Sequence, residues 1–224
     1  MIRRVSWGLA VRLYLSSFRM GDHPERMLDL IGADSRRAVV IANAMDDAPP
    51  DVRRAGVELE LAALAGLGLE AAELDLRGYF GRRPLLRRDL AGIGVTWSRG
   101  GNAFMLRYAL ARSGAGAVFG ELLAADALVY AGYSAGACVL SPGLRGLELV
   151  DDPDAVTRAY GSPPAWDGLA LLAEAFVPHS RSPGHPETAA IELVVARYRA
   201  EGIPYRALHD GQALLINGPQ SVVV

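Results

Sequence analysis

The chain has 224 residues, 51% of them hydrophobic, and a formal net charge of −2. That length suffices for one large core, and the near-neutral balance offers no basic footprint for nucleic acid. No stretch supplies the ~18 uninterrupted apolar residues of a membrane span, and the lone cysteine, Cys138, excludes an intramolecular disulfide and points to a reducing cytoplasm. Residues 1–10 carry Arg3 and Arg4 before an apolar stretch that Arg12 interrupts. They are read as an N-terminal extension rather than a signal peptide.

Apolar runs alternate with helical patterns in chain order, which predicts an α/β fold with a mostly parallel sheet. Residues 11–16 read as the first strand and 23–31 as a short helix, with Asp22 placed to cap it. Residues 38–42 form a second strand, and leucine and alanine recur at helical spacing from Pro49-Pro50 to Leu67. Residues 70–76, 94–97 and 127–131 supply the third, fourth and fifth strands. In the C-terminal third, 175–178 is a short apolar segment and 187–200 a helix. Residues 205–208, 213–216 and 221–224 then follow as strands, and Asp210-Gly211 and Asn217-Gly218 read as hairpin turns between them. No repeat or linker interrupts the chain, so one domain over residues 1–224 is expected.

Chemistry concentrates where the fifth strand stops, at Ala131-Gly132-Tyr133-Ser134-Ala135-Gly136-Ala137. The Gly-x-Ser-x-Gly pattern is that of a nucleophile elbow, a turn so sharp that only small neighbours fit around an exposed serine. Ala135 would open the next helix, and its unpaired N–H is suited to hold an oxyanion. A serine needs a base and the base needs an orienting acid. Of His23, His179, His185 and His209, His23 and His185 read as helix-start residues. Two assignments stay open on the residues alone. One is Ser134, His179 and Asp210; the other is Ser134 with His209 and an acid from Asp151, Asp152 or Asp167, the order of ordinary α/β-hydrolases. A second loop, Ser98-Arg99-Gly100-Gly101-Asn102, brings consecutive glycines whose N–H groups can converge on a bound oxygen, with Asn102 placed to cap the following helix.

Taken together, Gly100-Gly101-Asn102-Ala103-Phe104, the elbow, Pro178-His179 and Leu208-His209-Asp210-Gly211-Gln212 resemble the peptidase E family of serine peptidases, which includes cyanophycinases. The resemblance runs from Leu13-Tyr14-Leu15-Ser16-Ser17 to the last hairpin. It implies a three-layer fold like that of class I glutamine amidotransferases, with a C-terminal β-hairpin region. It favours Ser134 as nucleophile, His179 as base, Asp210 as acid, and Ala135 with Gly100 or Gly101 as oxyanion donors. It implies short peptide substrates, and an aspartyl dipeptidase acting on N-terminal Asp is one such activity.

The family pattern has an arginine after a Gly-Glu-Thr run, but here Pro186-Glu187-Thr188 is followed by Ala189. Arg99 and Arg181 are then the candidates to bind a substrate carboxylate, with Asn102 a further contact. Glu148, Asp151, Asp152 and Asp154 form an acidic stretch that reads as a charged loop or as a seat for a substrate amino terminus. Cys138, four residues past the serine, reads as a buried inert thiol. The dispersed histidines match no zinc pattern, so no metal or cofactor is expected. The expected partner is a short peptide, with no nucleic acid or membrane and with a homodimer allowed. A binding module with a dead site on the same fold is the other class of function.

Overall fold

The computed structural model describes residues 11–32 and 35–224, and the N-terminal extension lies outside them. Nine strands are described: β1 (Arg12–Ser16), β2 (Arg37–Ile41), β3 (Glu70–Glu73), β4 (Val95–Ser98), β5 (Val129–Tyr133), β6 (Ala175–Val177), β7 (Tyr205–Ala207), β8 (Ala213–Asn217) and β9 (Gln220–Val223). Seven of them form one sheet in the order β3-β2-β4-β5-β1-β8-β9. The first five run parallel, β8 pairs antiparallel with β1, and β9 pairs antiparallel with β8. This is the mostly parallel α/β architecture expected.

Helices cover both faces of the sheet: α1 (Glu25–Ile31), α2 (Pro50–Gly66), α3 (Arg83–Asp89), α4 (Ala103–Ser113), α5 (Ala115–Ala124), α6 (Ala135–Cys138), α7 (Asp154–Tyr160) and α8 (Thr188–Glu201). Two cores result. Leu13, Leu15, Phe104, Phe119 and Phe176 pack on one side, and Tyr14, Met27, Trp97 and Tyr133 on the other. Coverage on both faces explains why the central strands read as continuous apolar runs rather than alternating ones. None of the described helices is long and apolar enough to cross a membrane.

Several local expectations are corrected. The fifth strand lies two residues later than read, because Ala127 and Leu128 finish the turn out of α5 and Gly132 and Tyr133 still pair. The third strand stops at Glu73; Leu74, and Leu76 at the start of a 3-10 turn (Leu76–Tyr79), are buried in the core beyond it. Asp22 does not cap α1. Pro24 holds the cap position without a side-chain bond, and Asp22 instead donates its N–H to Gly211 O at 2.7 Å. Asp210-Gly211 does not join a hairpin, since β7 pairs in parallel with β6 in a separate two-stranded sheet. The Asn217-Gly218 turn does close one, between β8 and β9. Helices α3, α5 and α7 were not read from the sequence at all.

The parallel strands all end on the same side, where open α/β sheets place their sites. There the first turn of α6 approaches the end of β4 so closely that a Cβ on Gly136 would sit 2.1 Å from Ser98 O. Gly136→Ala is expected to lower the unfolding free energy by about 3 kcal/mol in urea titration. Gly66→Ala, in the open last turn of α2, should leave it unchanged or slightly raised.

Candidate active site

Between Tyr133, the last residue of β5, and Ala135, the first of α6, Ser134 alone reverses the chain direction. It does so at φ 49° and ψ −119°, a conformation that costs an L-residue about 1–3 kcal/mol. The surroundings hold it there. Tyr130 Oη donates to Gly136 O at 2.7 Å, and a Cβ on Gly132 would meet Ser98 O at 2.6 Å, so both elbow glycines are required by the end of β4. As the first residue of α6, Ala135 has no N–H acceptor within its own helix.

The glycine loop lies directly against this turn. Arg99 N–H donates to Ile41 O at 2.9 Å and Asn102 N–H to Ala44 O at 2.8 Å. Between them, the Gly100 and Gly101 N–H groups have no acceptor among the described residues. A Cβ on Gly100 would lie 2.8 Å from the Tyr133 ring and 3.1 Å from Ser134 Cβ; one on Gly101, at φ 139°, would lie 2.6 Å from Ala44 O. Asn102 caps α4 as read, its Oδ1 accepting from Phe104 N–H and Met105 N–H. Its Nδ2 donates to Asp152 O at 2.8 Å, so both ends of the amide are committed.

His179 and Asp210 come together through the small sheet. Parallel pairing of Val177 with Ala207 continues past both strands, with Leu208 N–H on Val177 O and Ser180 N–H on Leu208 O, each at 3.0 Å. The two side chains then emerge as neighbours, and His179 Nδ1 donates to Asp210 Oδ1 at 2.7 Å. That leaves Nε2 as the acceptor.

Ser17, just past β1, closes the arrangement. Its Oγ accepts His179 N–H at 2.8 Å and donates to the same Asp210 oxygen at 2.8 Å. Asp210 N–H donates to Ser182 Oγ at 2.8 Å, and Ser17 N–H to Gln212 O at 2.9 Å. Ser17 was not read as a site residue. Its signal is only that it follows the end of a buried strand, which many serines do.

A cavity of about 490 Å³ is lined by Ser134, His179, Gly100 and Gly101, together with Arg19, Asp151 and Glu187. His179 is 1% exposed. Burial pushes its pKa below the ordinary imidazole value, while the hydrogen bond and charge of Asp210 oppose that shift. His185 lies just before α8, where its Nδ1 accepts Glu187 N–H at 3.3 Å. Its ring stacks on His179 with centroids 3.6 Å apart and planes 3° apart. His179, His185 and Glu187 hold potential metal ligands within 4.8 Å of one another, but one ion cannot lie in the planes of two parallel stacked rings. The Asp151 carboxyl is pushed up to about 7, chiefly by burial and then by Glu187 and Asp47, against the N–H it accepts from Ala103.

Of the remaining candidates, Asp152 and Arg99 also line the Ser134 cavity, and the others lie outside it. His209 and Arg181 line a second cavity with Arg199, Tyr205 and Gln212. Asp152 pairs with Arg158 at 2.5 Å, Asp167 with Arg107 at 2.8 Å and Glu148 with Arg197 at 2.6 Å. Arg99 lines the Ser134 cavity, but its Nε stands 3.3 Å from the buried Glu60, which also accepts from Trp97 Nε1 and Tyr133 Oη at 2.7 Å each. Glu60 carried no sequence signal beyond a polar position in α2. Cys138 is buried, and burial raises its thiol pKa well above the ordinary value.

An α/β sheet that presents a strained serine at a strand end, beside a buried histidine hydrogen-bonded to an aspartate, is the framework of a serine-type hydrolase. The chain belongs to peptidase family S51, whose family model matches residues 18–224, and it is a serine-type peptidase of the peptidase E kind. It is 30% identical over 167 residues to the uncharacterized peptidase Lmo0363 of Listeria monocytogenes, covering 74% of this chain and 76% of that one. Its fold is similar to that of a candidate peptidase E from L. monocytogenes EGD-e, with TM-score 0.78, 24% identity, and coverage of 96% and 98% of the two chains. It is also similar to that of a peptidase from an acI-B1 Actinobacterium, with TM-score 0.70, 16% identity, and coverage of 97% and 88%.

Two variants separate anchoring from chemistry. Asp210→Asn is expected to lower kcat on the order of 10³–10⁴-fold by disturbing the imidazole tautomer. Ser17→Ala, which removes one buried bond from each partner, should lower it about 10- to 100-fold with KM nearly unchanged. In the unaltered enzyme His179 stays neutral below the usual imidazole pKa. The acid limb of kcat/KM should therefore fall below about pH 6.5; a limb above that value would contradict the burial argument.

Proposed function

We propose that the chain hydrolyses short peptides through an acyl-enzyme, with Ser134 as nucleophile, His179 as base and Asp210 as the acid that orients it. The observation that carries this reading is the His179 Nδ1–Asp210 Oδ1 bond of 2.7 Å beside the cavity that Ser134 lines. His179 Nε2 takes the Ser134 proton as Oγ attacks the peptide carbonyl. The resulting oxyanion rests on Ala135 N–H and the Gly100-Gly101 loop. Collapse breaks the C–N bond, and His179 returns the proton to the leaving amine. Water then attacks the ester, again giving up its proton to His179, and Ser134 is regenerated as the acid product leaves.

An N-terminal aspartate is the substrate residue we favour. Its ammonium group suits the carboxylates Asp47, Asp151 and Glu187 on the cavity wall. The cavity volume of about 490 Å³ suits a peptide of two or three residues.

The test is hydrolysis of a dipeptide panel that includes Asp-Leu, by the protein and by its Ser134→Ala variant. Serine-dependent cleavage strongest for Asp-Leu is expected. Serine-dependent cleavage that ignores the first residue would remove the aspartyl preference and keep the mechanism. Equal rates in the two proteins would overturn the assignment of Ser134.

A further inference from the structure

Neither arginine read from the sequence as a carboxylate ligand is free to act as one in the cavity of Ser134. Arg99 stands against Glu60, and Arg181 lines the other cavity. A peptide carboxylate entering this cavity would meet Asp47 and Glu187, so without a cation it would be repelled.

One further arginine lines the same cavity, at its boundary with a neighbouring one bordered by Gly21, Asp22 and Glu60. Arg19 follows Ser17-Phe18 in the loop between β1 and α1, and among the described residues it pairs with no carboxylate. Its Cζ lies 5.2 Å from the centroid of the Phe18 ring, an arrangement that orients the guanidinium without consuming its N–H donors. Phe18 is itself fixed at the site, edge-on to Tyr133 at 6.3 Å, His179 at 5.9 Å and His185 at 5.3 Å. Arg19 has φ 48°, which turns the chain back at this point, and its carbonyl accepts the Ser16 hydroxyl. The Arg19 charge also reaches Tyr133, where burial raises the phenol pKa and Arg19 partly offsets it.

Resting on the peptidase reading above, we propose that Arg19 binds a carboxylate of the peptide substrate. A planar guanidinium held on an aromatic face can give a carboxylate two parallel N–H bonds. The carboxylate wall then takes the substrate ammonium and Arg19 the substrate anion. The carboxylate can come from an N-terminal aspartate side chain or from the peptide C-terminus, and the chemistry is the same.

Calorimetric titration of the Ser134→Ala protein tests this without turnover, so it stands apart from the assignment of the nucleophile. The ligands are Asp-Leu, Asn-Leu and Asp-Leu amide, and the comparison protein is Ser134→Ala/Arg19→Gln. Loss of Arg19 should weaken Asp-Leu binding at least tenfold while sparing one of the other two. Unchanged Asn-Leu binding would identify the side-chain carboxylate, and unchanged Asp-Leu amide binding the C-terminal one. Arg19→Lys should restore part of the loss. Equal weakening of all three ligands, unchanged Asp-Leu affinity, or no Asp-Leu binding to the Arg19-containing protein would each overturn the proposal.

Discussion

The Asp210 carboxylate is the anchor on which the site depends. One of its oxygens accepts both His179 Nδ1 and Ser17 Oγ, and that same hydroxyl takes the His179 N–H. Three segments remote in sequence are thereby joined: the end of β1 and the loops that follow β6 and β7. The elbow and glycine loop belong to the seven-stranded sheet, whereas His179 and Asp210 follow the small β6–β7 sheet. The Ser17 bridge joins the two halves at the triad, and Asp22 N–H on Gly211 O adds a second hydrogen bond between them. A buried network in which every polar group has a partner specifies one geometry, and one with a missing member costs more than it contributes.

Two opposing electrostatic effects meet at His179. Burial disfavours the imidazolium, and Asp210 favours it, with burial the larger. The outcome is a neutral imidazole at the pH where a general base must accept a proton, with a carboxylate close enough to stabilise the cation once formed. Glu60 plays a different part beneath the same cavity. It is 2% exposed, but it is satisfied by Trp97, Tyr133 and the nearby Arg99 charge. This buried network holds the residue before Ser134 and sets the Arg99 charge, just before Gly100, beside Glu60.

Much of the architecture was legible because buried parallel strands are short apolar runs that end in small residues. The elbow was the clearest case: Gly132 and Gly136 are required by the approach of Ser98 O, a constraint that leaves only small residues at those positions. The glycine loop and the Asn102 cap were legible for similar local reasons. What stayed hidden depends on contacts between distant segments. The Asp210-Gly211 pair looks like any hairpin turn; Asp210 was a candidate acid, but the parallel pairing of β7 with β6 that carries it to His179 was not legible. Ser17, Arg19 and His185 carried no spacing signal, because their roles come from what folds against them. Helix α3 was missed because its seven residues, four of them charged, show little apolar periodicity.

The most direct test of the account is fluorophosphonate labelling of the intact protein, read by mass spectrometry with peptide mapping, beside the His179→Ala and His209→Ala variants. A single adduct on Ser134, formed far more slowly in His179→Ala and at the original rate in His209→Ala, is the predicted result. An adduct on another residue, or labelling that depends on His209 rather than His179, would contradict it.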